Sequence, residues 1–431
     1  MSGVDSLTNL NNILRTNYTG ARVFDEAQKR APTWNLFSKD GIVGKWDGKG
    51  YRLYQQSRTA RSAVVRWDAV TPSAYPSPGE SRYGNRYWGV KCVKAAIGCG
   101  EFYQLISSGE KYSGLQASNL IASEMKALTD KITELLNKAV FGDGKGTLAT
   151  VSSFSNSTTD TVTVDSTAHL EVGMVVDFIR SGEEVANAVD VTITAITSET
   201  TFECVITGTP ASGDIIVMAN SYDKCIDGFQ TFKATSGTYG GSEISSNYAW
   251  RPTVHSNNQS NPTDGNPSNF SSLQFLVFKN KIDQRSGNFQ DPNYFICRPE
   301  VADAAMWVLA PDRRFTATEN WDMYPNRKKM KLPDGGTILI DHDCPKQCIF
   351  YFNIGDIKRC QVGEPGWEDT GGGIVKQTVD SSTGNYKNEY VANWRAYLNL
   401  VMVQAQKFGY FYNVYGVGDS GSTYGDYGGL S

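Results

Sequence analysis

Histidine, cysteine, long apolar runs and a surplus of positive charge are all scarce in this sequence. It has three histidines, at 169, 255 and 342. Eight cysteines, at 92, 99, 204, 225, 297, 344, 348 and 360, are too sparse in 431 residues for a disulfide scaffold. Reduced thiols in a protein folded in a cytosol are the expectation. No stretch approaches the roughly 18 apolar residues that a membrane-crossing helix needs, so no membrane association is expected. The opening MSGVDSLTNLNN has neither a basic nor an apolar region, so no secretory leader is expected. Lys and Arg number 41 against 45 Asp and Glu, a formal net charge of -4. That balance argues against a protein that coats nucleic acid generally.

Chemical signatures are equally thin. The run LLNKAVFGDGKG at 135–146 has the glycines of a phosphate loop at the wrong end of a helix. Phosphate is held at a helix N-terminus, whereas here the glycines follow an apolar helix. No GxxxxGK[ST] spacing occurs, since Lys145 is followed by Gly146 and Thr147. Gly142 fits a helix C-cap and Asp143-Gly144 a tight turn. The segment DHDCPKQC offers His342, Cys344 and Cys348, with Cys360 further on, and strand alternation would put His342 and Cys344 on one face. The CxxxC spacing is loose, and small buried side chains explain it better than zinc. No GxSxG elbow exists, and Glu183-Glu184 reads as a surface turn. No catalytic residue, metal or cofactor is expected.

Glycine, at 42 residues, and the 50 Tyr, Phe and Trp residues are abundant, which suits many turns and aromatic-faced strands. Residues 1–45 hold Tyr18, Phe24, Trp34 and Phe37 among polar residues, too few for a core of their own. Eleven Lys and Arg against five Asp and Glu make 1–66 basic. The aromatic and basic mixture at 46–66 could stack on a single nucleic-acid strand. Pairing of its arginines with carboxylates of an adjacent subunit is the better reading, since its aromatics also need burial. Strand-like arms at about 60–70 and 85–97 flank a tip with Pro72, Pro76, Pro78, Gly79 and Gly84, an open hairpin that wants a partner surface.

From 113 to 140, Ile121, Met125, Leu128, Ile132, Leu135 and Val140 form one apolar stripe of a helix about 42 Å long, with Ser113 as N-cap. From about 155 to 222, five or six short alternating strands predict a small barrel or sandwich. Between 146 and 223 Arg180 stands alone against eleven Asp and Glu. That acidity is either a solvated face that keeps particles apart or a patch for a basic partner. Beyond a Gly-, Ser- and Asn-rich segment at 235–268, helices are expected at SSLQFLVFKNKIDQRSG and PEVADAAMWVLAP, with NYFICRP a strand between them. A hairpin turns at Asp334-Gly335, a strand pattern spans about 392–415, and GDSGSTYGDYGGLS is a tail.

In this order, the leading arm, open hairpin, long helix closed by LLNKAVFGDGKG, mixed helix–strand region with GGTILIDHDCPKQCIFYFNIGDIKRC, and a closing strand ending KFGYFYNV resemble the major capsid protein of tailed bacteriophages (the Johnson fold, Hong Kong 97-like). The resemblance covers some 350 residues and leaves 150–225 as an insertion. It implies an α+β fold: N-terminal arm 1–45, extended hairpin loop 46–98, peripheral domain with spine helix 99–149, inserted β-domain 150–225, a mainly axial domain 226–340, and return strands with a C-terminal tail 341–431. It also implies an icosahedral shell of pentamers and hexamers enclosing phage double-stranded DNA, in virions assembled in the host bacterial cytoplasm. A separate scaffolding protein and a portal are expected partners, with a decoration protein on the acidic insertion and non-specific contact of the inner face with DNA. The expected inter-subunit contacts are Trp34, Phe37, Trp46, Arg52, Arg58, Arg61, Arg66, Tyr75, Tyr87 and Trp88. The loop tip at 71–84 has no lysine, so a covalent cross-link through it is not implied. Other readings are an encapsulin-like shell or tail protein, or a hydrolase with an inserted β-domain.

Overall fold

A computed structural model describes residues 31–37, 57–60, 82–84, 88–100, 117–156, 160–245, 251–258, 266–286, 293–309, 330–331, 337–368, 375–379 and 386–419. The chain divides into two compact units. One takes Met1–Ala31, Cys92–Leu136 and Gln361–Leu398; the other takes Pro32–Lys91, Asn137–Cys360 and Asn399–Ser431.

Strands β1 (Ser57–Ala60) and β2 (Arg82–Gly84) pair antiparallel, Ser57 opposite Gly84 and Ala60 opposite Arg82. Among the described residues of 46–98 these two strands pair with each other, and most of the expected arm at 60–70 lies outside the described residues. Most of the expected second arm is instead β3 (Lys91–Gly100), which pairs with a strand from the C-terminal part of the chain. Helix α1 (Ala117–Val140) has 24 residues, about 36 Å of rise. Ile132 and Val140 of the expected stripe are buried, and Met125, Leu128 and Leu135 half-buried. Lys131 and Glu134, one turn apart, approach to 3.9 Å. The expected N-cap Ser113 lies outside the described residues.

The inserted domain is a closed barrel. Its strands are β4 (Thr147–Ser155), β5 (Asp160–Val164), β6 (Val175–Arg180), β7 (Glu183–Glu184), β8 (Val191–Ser198), β9 (Thr201–Cys204) and β10 (Ile215–Met218). The order β10-β4-β5-β9-β8-β6 closes because β10 also pairs with β6, Ile215 opposite Ile179 and Met218 opposite Val176. Val162, Val176, Phe178, Ile193, Phe202 and Ile216 fill the interior with no exposed surface. The barrel begins at Thr147, which pairs with Val217, three residues before the expected boundary. Three of its carboxylates are interior joints rather than surface charge. Asp160 accepts from the Ile206 N–H at 2.7 Å, and Asp177 from the Asp190 and Asn220 N–H groups at 2.8 and 2.7 Å. Asp214 takes two bonds from the Arg180 guanidinium, at 2.8 and 2.7 Å. Burial alone would raise the Asp214 pKa, but those bonds outweigh it and hold the carboxyl low.

Beyond the barrel come the short helix α2 (Phe229–Phe232) and the paired β11 (Thr238–Tyr239) and β12 (Ser242–Glu243). Then β13 (Thr253–Ser256), α3 (Ser272–Ser286), β14 (Asn293–Cys297), α4 (Pro299–Leu309), β15 (Met330–Lys331), β16 (Thr337–Ile340) and β17 (Cys348–Asn353) follow. The chain continues through β18 (Ile357–Trp367), β19 (Val375–Val379), β20 (Tyr386–Met402) and β21 (Gly409–Tyr412). A six-stranded mixed sheet has the order β13-β21-β17-β14-β16-β15, with β13–β21 and β14–β16 parallel. Helices α3 and α4 cover it, placing Phe275, Phe278, Ile282, Val301 and Ala305 in one cluster with Phe295, Tyr351 and Phe411.

In a second sheet, β20 pairs with β18, β19 and β3. The continuous pattern at 392–415 is therefore two strands in two sheets, separated by a 3-10 turn at Ala405–Lys407. Strand β13 lies in the Gly- and Asn-rich segment, where the composition predicts no strand. Its partner β21 lies more than 150 residues away.

Candidate functional site

The end of α1 organises the second unit. Phe141 and Gly142 close it with N–H bonds to the Lys138 and Ala139 carbonyls at 3.1 and 2.9 Å. The left-handed residues are Gly144 and Gly146, at φ 85 and 81, so the reversal falls two residues later than a cap at Gly142. Asp143 helps the turn by accepting from the Lys145 N–H at 3.2 Å. Gly228 packs on the helix end so tightly that a Cβ there would lie 2.5 Å from the carbonyl oxygens of Ala139, Val140 and Gly142. The Gln230 N–H then donates to the Gly142 carbonyl at 3.2 Å, satisfying one orphan acceptor of the helix end. Phe229 sits among Phe141, Phe350, Phe352 and Phe408, with centroids 5.1 to 5.7 Å away.

One turn before this end, Asn137 is fully buried at the centre of a polar junction. Its Oδ1 accepts from the Trp34 N–H at 3.0 Å. Its Nδ2 donates to Asp341 at 3.0 and 3.3 Å and to Asp343 at 2.7 Å. The Thr33 hydroxyl donates to Asp341 in a very short bond, and the Asp343 N–H donates to Asp341 at 2.9 Å. His169 Nε2, from the barrel, lies 3.2 Å from the other oxygen of Asp343. The leading segment, helix end, barrel and return loop thus meet on two carboxylates. Burial pushes the Asp341 carboxyl up, more than the bonds from Thr33, Asp343 and Asn137 pull it down. Burial would also raise Asp343, but bonds from His169 and Asn137, with the charges of His169 and Lys138, hold it low. A hydroxyl, two carboxylates and an imidazole are catalytic residue types. Here every member is less than a tenth exposed, so a substrate has no access. The arrangement ties four chain segments together.

Three residues expected at contacts with a neighbouring copy belong to this unit's own core, which corrects that expectation. Trp34 is 6% exposed and lies under the Arg359 guanidinium, 5.3 Å from its ring. Phe37, 2% exposed, packs against Phe229 and Phe352 at 6.2 and 5.9 Å. Trp88, 5% exposed, packs on Tyr239 at 5.7 Å, where Gly240 at φ 60 leaves room for its ring. The backbone beside Trp88 is pinned as well. Asn399 Nδ2 donates to the Gly89 carbonyl and to Asp227, both at 2.9 Å, and the Lys91 ammonium donates to the Asp223 carbonyl at 2.9 Å. Large aromatics in sparse surroundings suggested an outside partner; distant parts of the same chain supply it. Trp46, Arg52, Arg61, Arg66, Tyr75 and Tyr87 lie outside the described residues, and of Arg58 the backbone in β1 is described.

The His342–Cys344 alternation also fails. Residues 341–347 turn rather than extend, so His342 is exposed while Cys344 and Cys348 are buried. Cys344 points at the Ile296 carbonyl and Cys348 at the Pro345 carbonyl. Among the described residues no group of three or more His, Cys, Asp or Glu could hold a metal ion. Nor is any described helix long and apolar enough to cross a membrane. His255 stacks against Phe278 and Phe411 and bonds to Gln274 at 3.0 Å. Burial first, and then the Lys281 charge, lower its pKa despite that bond.

No protein-family model matches the sequence, and no curated protein matches it. Solved structures do match. A chain of the cyanophage A-1(L) capsid asymmetric unit aligns over 93% of this chain and 98% of its own, at 9% identity, with a TM-score of 0.57. This chain has the fold of that capsid chain. The capsid of a native GTA particle is similar over 96% of this chain and 99% of its own, at 9% identity and a TM-score of 0.47. At 9% identity the likeness to the cyanophage chain shows a shared fold alone, and no residue's role is transferred. The α+β class is thereby supported, with strands, long helix and barrel as described.

Proposed function

We propose that this chain is the major capsid protein of a tailed bacteriophage and that copies of it assemble into an icosahedral shell around double-stranded DNA. The observation that carries this reading is the match in fold along nearly the whole length of both this chain and the cyanophage capsid chain. The buried His–Asp–Asn–Thr junction is consistent with it, because it locks segments and offers no cleft for a substrate. In this reading 1–45 is the arm, 46–98 the extended loop, α1 the spine helix, 226–340 mainly the axial domain, and the barrel a surface insertion. Pentamers and hexamers form the shell, a separate scaffolding protein and a portal take part in assembly, and a decoration protein docks on the exposed acids of the barrel. Packaged DNA meets the inner face through general electrostatics. Arg52, Arg58, Arg61, Arg66, Trp46, Tyr75 and Tyr87 remain the proposed contacts with neighbours.

Negative-stain imaging of the purified full-length chain tests the proposal. Closed, uniform shells are expected, and a dispersed small particle with hydrolytic activity would replace this reading with the enzyme one.

A further inference from the structure

Two bases share one hydrogen bond where α3 crosses the strand β13. The Lys281 ammonium, on α3, lies 3.2 Å from His255 Nδ1, on β13. The other ring nitrogen, Nε2, lies 3.0 Å from Gln274 Oε1, also on α3. An ammonium has hydrogens to give and no lone pair to receive one, so Nδ1 is the bare, accepting nitrogen. The ring hydrogen is then on Nε2 and is donated to Gln274. That scheme exists for a neutral imidazole alone. A second proton would enter at Nδ1, replace the bond with a contact between two hydrogens, and set two positive charges 3.2 Å apart.

The side chains of α3 grip β13 at two levels. Arg285 donates to the Arg251 and Pro252 carbonyls at 2.8 and 3.1 Å and to the Thr253 hydroxyl at 3.2 Å, bonds to neutral groups that a change of pH near neutrality leaves alone. The His255 bonds are the titratable level. Phe278 of α3 and Phe411 of β21 stack on the ring. Lys279 and Asp283, each two positions from Lys281, lie about 200° round the helix from it. The 3-10 turn at Ala405–Lys407 also touches α3, and its Lys407 is paired with Asp356 at 3.5 Å. From this geometry we infer that His255 and Lys281 form an acid-sensitive clasp, which fastens α3 to β13 while the imidazole is neutral and loosens it once the imidazole takes a proton. Burial and the Lys281 charge lower the His255 pKa more than the Gln274 bond raises it. The clasp therefore contributes fully above the unfolded pKa of about 6.5, and its contribution is lost as pH falls through the lower folded value. The inference rests on the packing within this unit and does not depend on the shell reading.

Hydrogen exchange of the full-length chain, read by mass spectrometry and corrected for the intrinsic effect of pH, tests the clasp whether or not the chain is assembled. From about pH 7.5 to about pH 5, peptides covering 251–258 and 272–286 should exchange roughly threefold faster or more, while a barrel peptide covering 191–204 responds much less. Lys281→Met keeps the aliphatic stem and removes the second cation, so the acid response should shrink to less than half of the parent's. His255→Gln keeps a polar side chain that takes no proton, and its response should be flat. Equal exchange of the parent's two peptides at both pH values overturns the inference, and so does a barrel response as large as theirs. A full parental response in Lys281→Met or in His255→Gln overturns it as well. None of these outcomes bears on shell formation.

Discussion

Removing the Asn137 side chain tests the junction most sharply. In Asn137→Ala the Trp34 N–H loses its acceptor, Asp341 loses two of its donor contacts and Asp343 loses one. Bonds to charged groups contribute about 1.5–3 kcal/mol each, and a stranded buried N–H costs about 1–3 kcal/mol. Asp341 keeps Thr33 and the Asp343 N–H, and Asp343 keeps His169, so the terms do not simply add. The expected loss is about 3–5 kcal/mol. Hydrogen exchange of residues 31–37 reads it locally, because the Trp34 N–H exchanges once the segment lets go. At about 1.4 kcal/mol per factor of ten, exchange at Trp34 should quicken by roughly 100-fold or more. Asn137→Asp should be worse at neutral pH, since it sets a third carboxylate between two others, and should recover as the pH falls towards about 4. Exchange in Asn137→Ala within threefold of the parent would refute the idea that Asn137 holds the leading segment.

Other outcomes follow from the same packing. Asp343 is held low, so its contribution is fully present above the unfolded carboxylate pKa of about 3.9 and is lost as pH falls through the folded value. Asp343→Asn should therefore cost about 2–4 kcal/mol at pH 7, and progressively less as the pH falls below about 3.9, measured by denaturant unfolding. Asp341 is pushed up, so the sign reverses: its protonated form favours the fold below about pH 3.9, and that gain is lost as pH rises through the folded value. Gly409→Ala would bring a methyl group within 2.5 Å of the Phe278 ring and Ile282 Cδ1, for a loss of about 1–3 kcal/mol in the same assay. Phe229→Ala empties the centre of the aromatic cluster and should cost about 3–5 kcal/mol.

Local patterns were legible in the sequence. The stripe of α1, the two-residue alternation of the barrel and the prolines bounding PEVADAAMWVLAP are rules a single segment can state by itself. Tertiary partnership was not. Thr33 meets Asp341 across 308 residues and Trp34 meets Asn137 across 103, and neither pair carries a motif. Asn137 sits among the apolar residues of an amphipathic helix, and an amide on that face is the one signal of the junction in the sequence. The split between β20 and β21 hides in one apolar run. The clue is Gly409, whose missing side chain lets Phe278 and Ile282 close over the backbone. Aromatics at 34, 37 and 88 looked unhoused because their pockets come from residues far along the chain.

Sedimentation velocity on the purified full-length chain, across a range of salt and protein concentrations, puts the central claim directly at risk. The account predicts a discrete species of many copies, in equilibrium with rings of five or six. A single boundary at the mass of one chain under every condition would contradict it.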